Sequence, residues 1–384
     1  MPFNFDAPAP SWESRIDGRF TSLRGYAALT VVLAHYQTSD FPFDLPMYRF
    51  AGQFGLFLFF FLSAFLLSHS LFLAARTTHP VVALVKYATN RIFRIFPLLI
   101  AVVMFACWRE VAFFPPGTRY TDAIVNALTL GVAPSILWTI PVELVFYGYL
   151  PVVLVACLWL ASRRRGPQLL AAGFIIWCAA IAYAAHTSPA HPAWMTLGFH
   201  WYANSFVGGV GLYAILRNLT VQLPARTPLY LSLAPLVFLL AHPFFYASVV
   251  PGDFKLQTLT DPGAWSRFYN HIYPWAPIIV AAMFVELLSP AESALSRFLR
   301  LPVLKKIGDV SFGAYLTHMP VLLIIKAHFG AGQWQFFAAL VATFAVAMLL
   351  HEIIEKPAIS AGRAIGRAAT RLPVHRLRVS ILTK

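Results

Sequence analysis

Charge is scarce in this chain: Asp, Glu, Lys and Arg together make up 11% of its 384 residues, against about 25% in a soluble domain. Acidic residues are the scarcer kind, 15 against 29 Lys and Arg. Cysteine is nearly absent. The three present, Cys107, Cys157 and Cys178, all fall inside apolar runs, which excludes a disulfide framework and zinc-binding spacings. No metal site is expected. No internal repeat occurs, which argues against an inverted-repeat transporter. The composition also excludes disorder, coiled coil and collagen. No small-residue cleavage pattern follows the first apolar run, so that run reads as a retained helix and not a signal peptide.

Apolar residues fill the space that charge leaves. They make up 59% of the chain, with a mean hydropathy of +0.68. No soluble core hides that much apolar surface, so the expected fold is an all-α polytopic membrane protein. A span needs roughly 20 apolar residues at about 1.5 Å each. Ten runs qualify, at approximately 21–38, 52–75, 93–114, 136–161, 168–186, 201–217, 228–247, 273–289, 308–329 and 333–354. They divide the chain into a cytoplasmic N-terminal segment (1–20), a transmembrane domain (21–357) and a basic cytoplasmic tail (358–384). With the N-terminus inside, 23 of the 29 basic residues face the cytoplasm, and only Arg49, Arg109, Arg119, Lys255, Arg267 and Lys326 fall in or near outer loops. That asymmetry puts both termini inside. It also accounts for the net charge of +14 without a nucleic-acid partner. The outer segments 114–135, 187–200 and 248–272 are rich in Pro, Trp, Tyr and His. They suit either an interfacial pocket or an aromatic belt at the headgroups. The piece 121–133 reads as a short interfacial or re-entrant helix.

Ionisable residues inside spans are costly and point to function by default. Arg24 and His35 lie eleven positions apart in the first span. At about 100° per residue they differ by only about 20° around the axis, so they share a face, about 16 Å apart along it. A snorkelling arginine and a hydrogen-bonded core histidine would fit the same pattern. Before the third span the chain reads Asn90-Arg91-Ile92-Phe93-Arg94-Ile95-Phe96-Pro97, read as a loop. Paired guanidiniums at i and i+3 suit phosphate oxygens, and plain cytoplasmic charge is the alternative. In the fourth span, Trp138-Thr139-Ile140-Pro141-Val142-Glu143 sets a carboxyl in apolar surroundings. There Glu143 is a partner for His35, an acceptor for a substrate hydroxyl, or half of a structural ion pair. Pro141 is read as freeing a backbone carbonyl beside it. His318 reads as a structural hydrogen-bonder. Glu286, Asp309, His351 and Glu352, near inner helix ends, read as solvated or salt-bridged. Gly208-Gly209-x-Gly211 reads as close helix packing.

Taken in order, these pieces resemble the acyltransferase-3 family of integral membrane acyltransferases. Asp17 through His35 resembles the family's opening "LDGLRGIAALLVVLFHY" pattern, with an arginine, ten residues and a histidine. Leu58 through Leu67 is similar to its "LFFVLSGFLI" stretch. Arg91-x-x-Arg94 with Ile95-Phe96-Pro97 is similar to "RRxxRIYP", and Trp138-Thr139-x-x-x-Glu143 to "WSLSVEEQFY". Ile307 through Pro320 resembles "LGxISYSLYLWHWP", and Ile354-Glu355-Lys356-Pro357 resembles the closing "IEKP". Phe57, Ala64 and Leu144 depart from the pattern, standing for an acidic residue, a glycine and a second acid respectively.

The resemblance implies transfer of an acyl group, with acetyl the expected one, from cytoplasmic acyl-CoA to a hydroxyl of a cell-surface or lipid-linked carbohydrate. It places the protein in the inner membrane of a bacterium. The tail after Pro357 is too short for the hydrolase-like domain that some members carry, so direct transfer is expected. Arg91 and Arg94 would hold the phosphates of acyl-CoA, with Arg24 near the entrance. His35 would act as general base, since imidazole titrates near neutral pH, with Glu143 orienting it. Trp138, Thr139 and Tyr36 are assigned to the acceptor. A covalent acyl-histidine is the mechanistic alternative. A flippase of lipid-linked sugar and a membrane-bound O-acyltransferase of the unrelated type are the rival classes.

Overall fold

The computed structural model describes residues 10–37, 46–109, 122, 135–187, 199–219, 233, 235–238 and 274–370. Among the described residues the regular structure is helical, with no strand. Helix α1 (Gly18–Gln37) starts where the Asp17 side chain accepts the Arg19 backbone N–H at 2.9 Å, an N-cap that satisfies one of the helix's orphan donors. Helix α2 (Pro46–Thr77) follows. Helix α3 (Pro80–Trp108) begins with the His79 side chain capping the Val81 N–H and Pro80 in the first turn. The third apolar run, read as starting at 93, thus begins in the middle of a helix that starts at Pro80. Hydropathy misses the first turns because Lys86, Asn90 and Arg91 are polar, although Lys and Arg are good helix formers. Arg91 and Arg94 therefore stand inside a helix and not in a loop.

A 3₁₀ turn (Ser135–Trp138) leads into α4 (Thr139–Ala161). Pro141 falls in its first turn, where a missing N–H leaves little unsatisfied. Then come α5 (Gly166–Thr187), α6 (Phe199–Asn218) and α7 (Ala276–Leu288), the last short for a span at 13 residues. Two short helices, α8 (Ala294–Phe298) and α9 (Pro302–Asp309), precede α10 (Ser311–Phe329). Helix α11 (Gln333–Leu350) continues through a π-helical turn (His351–Glu355) into α12 (Lys356–Thr370). The start of the segment read as a tail is therefore helical. The run at 228–247 and the outer segments lie largely outside the described residues, and the piece at 121–133 does so except for Asp122.

Five helices are long and apolar enough to cross a membrane, or six if the bent pair α9–α10 forms one span, among the described residues. In a bilayer, helices gain little by hiding apolar surface from one another, so packing and close backbone approach hold them together. An aromatic cluster fills the centre: Phe60, Phe61, Phe65, Phe146, Phe206 and Phe284 are all fully buried. Phe146 and Phe206 stack with centroids 3.8 Å apart. Around α1 the approach is backbone to backbone. A Cβ on Gly25 would lie 2.7 Å from the Gly308 nitrogen, and one on Gly308 would strike the Thr21 carbonyl. Gly55 of α2 is as tight against the Ala27 carbonyl. The 75° bend between α9 and α10 lets α9 cross α1 at this glycine contact while α10 runs beside it.

Gly308→Val is expected to lower the thermal unfolding midpoint in detergent. The added carbons overlap backbone that has no rotamer to yield, and overpacking of this kind costs about 1–3 kcal/mol or more. Gly211→Ala, whose Cβ meets nothing within 4 Å, is the control. Equal midpoints for the two variants would show that α1 and α9 are not held in register here.

Candidate active site

Two cavities lie end to end along α1. The first is polar, with a volume of about 150 Å³. Arg24 enters it from α1, Arg91 and Arg94 from α3, Glu143 and Tyr147 from α4, and Ser63 and Ser70 from α2. Arginines three apart on α3 present one face, which is why both reach the same space. Three guanidiniums face one carboxylate in this lining, so positive charge is in excess. Glu143 accepts a hydrogen bond from the Tyr147 hydroxyl, and the Arg91 guanidinium lies 5.9 Å from the Tyr147 ring centre. Glu355 also acts on Arg94, but its carboxylate is bound by His351 at 2.8 Å. The Arg91 Nε is buried without a hydrogen-bond partner among the described residues. A buried donor of that kind is costly unless something arrives to accept from it. The lining fits a phosphate or another polyanion.

The second cavity is a narrow apolar slot of about 30 Å³. Ala27, Ala28 and Val31 of α1 form one wall, and Gly55, Leu56 and Phe60 of α2 another. Thr139 and Ile140 of α4 and Ser311 and Tyr315 of α10 complete it. Phe59, Glu143 and Phe312 line both cavities, so Glu143 stands at the junction. Arg24, Ala27, Ala28, Val31 and His35 fall at the i, i+3, i+4, i+7 and i+11 spacing of one helix face. The stretch of α1 between Arg24 and His35 is thus lined by small side chains that leave room for a thin chain.

At the far end, His35 sits one turn beyond Val31. Its Nδ1 is 2.9 Å from the Val31 carbonyl and 3.3 Å from His318 Nε2. His318 Nδ1 is in turn 2.6 Å from the Tyr315 carbonyl, and His318 is fully buried. A carbonyl can only accept, so both Nδ1 atoms carry the proton. His318 Nε2 then accepts from His35, and the basic lone pair of His35 is on Nε2. This is how a ring is held in one tautomer by what its other nitrogen touches.

The residues named from sequence are therefore sorted by the fold. Arg24, Arg91, Arg94 and Glu143 meet in one cavity. Glu143 is bonded to Tyr147 there, while the groups that orient His35 are Val31 and His318. Thr139 lines the slot and donates to the Tyr315 hydroxyl at 2.9 Å, and Tyr315 donates to the Ile136 carbonyl at 2.5 Å. Trp138 packs against Tyr202 with centroids 4.9 Å apart. Tyr36 is fully buried, with its hydroxyl 2.5 Å from that of Thr343 and 3.2 Å from the Ala339 carbonyl, so it ties α1 to α11. Asp309 pairs with Lys305 and Glu352 with Lys356 at the surface, as expected, whereas Glu286 is buried. Gly208 and Gly209 pack closely against α5 and α2. Sequence reasoning gave His318 only its bond to a neighbour and passed over Tyr147 and Tyr315. An imidazole in mid-span was the available signal.

The comparisons with known proteins bear on this arrangement. The family model described as an acyltransferase domain matches residues 17–352, a range that contains every residue of both cavities and both histidines. Among characterised proteins, Acyltransferase MdmB of Streptomyces mycarofaciens is 27% identical over 399 residues, spanning 90% of this chain and 92% of that protein. No solved structure matches the chain.

Proposed function

We infer the reaction from one premise: the chain belongs to the acyltransferase domain family, matched over residues 17–352, and is an integral membrane acyltransferase. On our reading the donor is acyl-CoA, with acetyl as the expected acyl group, and the acceptor is a hydroxyl of a cell-surface or lipid-linked carbohydrate. The observation that carries this reading is that the arginine cavity and the slot are neighbours, with Glu143, Phe59 and Phe312 lining both. Coenzyme A has the matching shape, a phosphorylated nucleotide on a long thin arm. Its phosphates suit Arg24, Arg91 and Arg94, and its arm suits the small-residue face of α1, which leads toward His35. Both cavities are tight in the protein alone, so α1, α2 and α10 part slightly as the donor enters.

His35 Nε2 then takes the proton of the acceptor hydroxyl as its oxygen attacks the thioester carbonyl. The tetrahedral intermediate collapses with cleavage of the C–S bond, and the coenzyme leaves as a thiol after recovering the proton from the imidazolium. His318 keeps the His35 Nδ1–H engaged so that Nε2 faces the reaction. Glu143 has a different part from that of orienting His35. It offsets part of the arginine charge in the cavity. A flippase without acyl transfer does not account for membership of an acyltransferase family.

Purified protein supplied with acetyl-CoA should release free coenzyme A in the presence of a carbohydrate acceptor and not in its absence. Failure with every acyl-CoA and acceptor tried would count against the donor assignment. His318→Ala is expected to lower kcat about two- to tenfold, the worth of one hydrogen bond of 0.5–1.5 kcal/mol, with the KM for acyl-CoA unchanged. His318→Gln, which still presents an acceptor, should recover part of the loss. A purely structural His318 would instead move yield and stability, with kcat per folded molecule intact.

The finer topology is ten spans with both termini in the cytoplasm of a bacterial inner membrane, supported by the distribution of basic residues. Reporter fusions after residue 165 and at the C-terminus should read inside, and fusions after residue 200 outside. An external C-terminus would sink this topology.

A further inference from the structure

A third cavity, of about 460 Å³, lies away from α1 between α4, α5, α6 and α7. Its size is that of a ligand site, and it touches none of the residues assigned to the reaction. The lining is apolar apart from the Cys157 thiol and the Trp177 indole. Leu160 comes from α4, Leu169, Leu170 and Phe174 from α5, Leu212 and Ile215 from α6, and Ile278 from α7. Two glycines, Gly173 and Gly211, open it: a Cβ on either would meet nothing within 4 Å. Leu169 and Ile175 on the rim are half exposed, so the groove faces lipid. From Leu169 to Trp177 it runs about 12 Å along α5 at 1.5 Å per residue, close to one leaflet's half of the roughly 30 Å hydrocarbon core.

One end of this groove is charged. Leu160 is three residues before Arg163, and Leu169 is four residues after Arg165, so the mouth lies within a turn of Arg163-Arg164-Arg165. The turn holding them is tight. The Gly166 N–H donates to the Arg163 carbonyl at 2.8 Å, and a Cβ on Gly166 would strike the Leu160 carbonyl. All three arginines are exposed. Arg163 stacks on the Trp159 ring at 4.4 Å, which sets its guanidinium at the level of an interfacial tryptophan. No salt bridge engages any of the three among the described residues.

We propose that this groove is a binding site for an anionic glycerophospholipid, with one acyl chain between α5 and α6 and the headgroup phosphate on Arg163, Arg164 and Arg165. Apolar groove and guanidinium cluster meet at the depth where a lipid's own chain and phosphate meet, and that juxtaposition selects a lipid over a free anion or a free hydrocarbon. Each basic residue near an anionic headgroup contributes about 1 kcal/mol, or roughly fivefold in affinity. The cluster should therefore discriminate by headgroup charge, where packing alone would not.

The test uses the full-length protein in detergent, titrated with phosphatidylglycerol or phosphatidylcholine of the same chain length. Retained lipid is counted by native mass spectrometry and the unfolding midpoint is followed. Phosphatidylglycerol should be retained at least about tenfold better and should raise the midpoint more. The triple variant Arg163→Gln, Arg164→Gln, Arg165→Gln should bind the two lipids equally. Gly211→Leu, which fills the groove, should lose retention of both. If that variant does not fold, Gly173→Leu, on the rim side, carries the same arm. Glycerophosphoglycerol, the headgroup without chains, should not compete. Equal retention of the two lipids by the unaltered protein, undiminished phosphatidylglycerol binding by the groove-filled variant, or competition by the chainless headgroup would each overturn the assignment.

Discussion

His35→Ala is expected to abolish acyl transfer while insertion and acyl-CoA binding stay close to those of the unaltered protein. A general base contributes about a hundred- to ten-thousandfold in rate, and that loss should fall on kcat. The packing around His35 makes the expectation specific. Its Nδ1 is engaged by the Val31 carbonyl, a contact inside its own helix, and by His318. Removing the ring therefore leaves His318 Nε2 short of a donor. That costs on the order of 1–3 kcal/mol of stability in either case, but if the site were only a packing contact, activity would fall only in proportion to folded protein. His35→Gln separates the two cases. Glutamine keeps much of the size and can donate to Val31 and His318, but its amide cannot accept a proton at neutral pH. The glutamine variant should be stable and as inactive as the alanine variant. Near-normal transfer by His35→Gln would end the catalytic assignment.

The second large effect is on donor affinity. Arg91→Ala combined with Arg94→Ala should weaken acyl-CoA binding by a hundredfold or more. A hydrogen bond to a charged group is worth roughly 1.5–3 kcal/mol, and about 1.4 kcal/mol is a factor of ten, so two lost contacts reach that range. Added salt should mimic the loss in the unaltered protein and have less effect on the double variant, because phosphate contacts are screened. The structure adds a condition. With both arginines gone, Arg24 and Glu143 are left as one charge of each sign lining the cavity, so Glu143→Gln on the double background should cost further stability by leaving Arg24 uncompensated, and should not restore binding. Unchanged acyl-CoA affinity in the double variant would reduce Arg91 and Arg94 to helix charges with a topological part alone.

Most of the helices were legible in hydropathy because a bilayer demands long apolar runs, and α1, α2, α4, α5 and α6 begin and end within a few residues of the runs read from sequence, α2 excepted at its outer end. The same criterion failed at α3, where the helix extends through Lys86, Asn90 and Arg91 to a start at Pro80. Hydrogen bonds and propensity make a helix, and hydropathy reports only where it is buried. It failed again at residues 302–310, where a bend lets the chain cross α1 through Gly25 and Gly308. Such a crossing depends on which backbones approach, and no run length encodes that.

The sequence by itself determined that this is a helical membrane acyltransferase and that Arg24 and His35 share a face of α1. Both follow from chain-local physics: apolar run length, the helical repeat, and an ordered set of motifs. Only the tertiary structure decided which polar groups meet. It gave Glu143 to the arginines and Tyr147, gave His318 to His35, and spent the Tyr36 hydroxyl on Thr343. His35 and His318 are 283 residues apart, and their meeting depends on how α10 is turned after the bend at Val310. A polar group in an apolar interior must find a partner, but the partner it finds is set by the packing of whole helices.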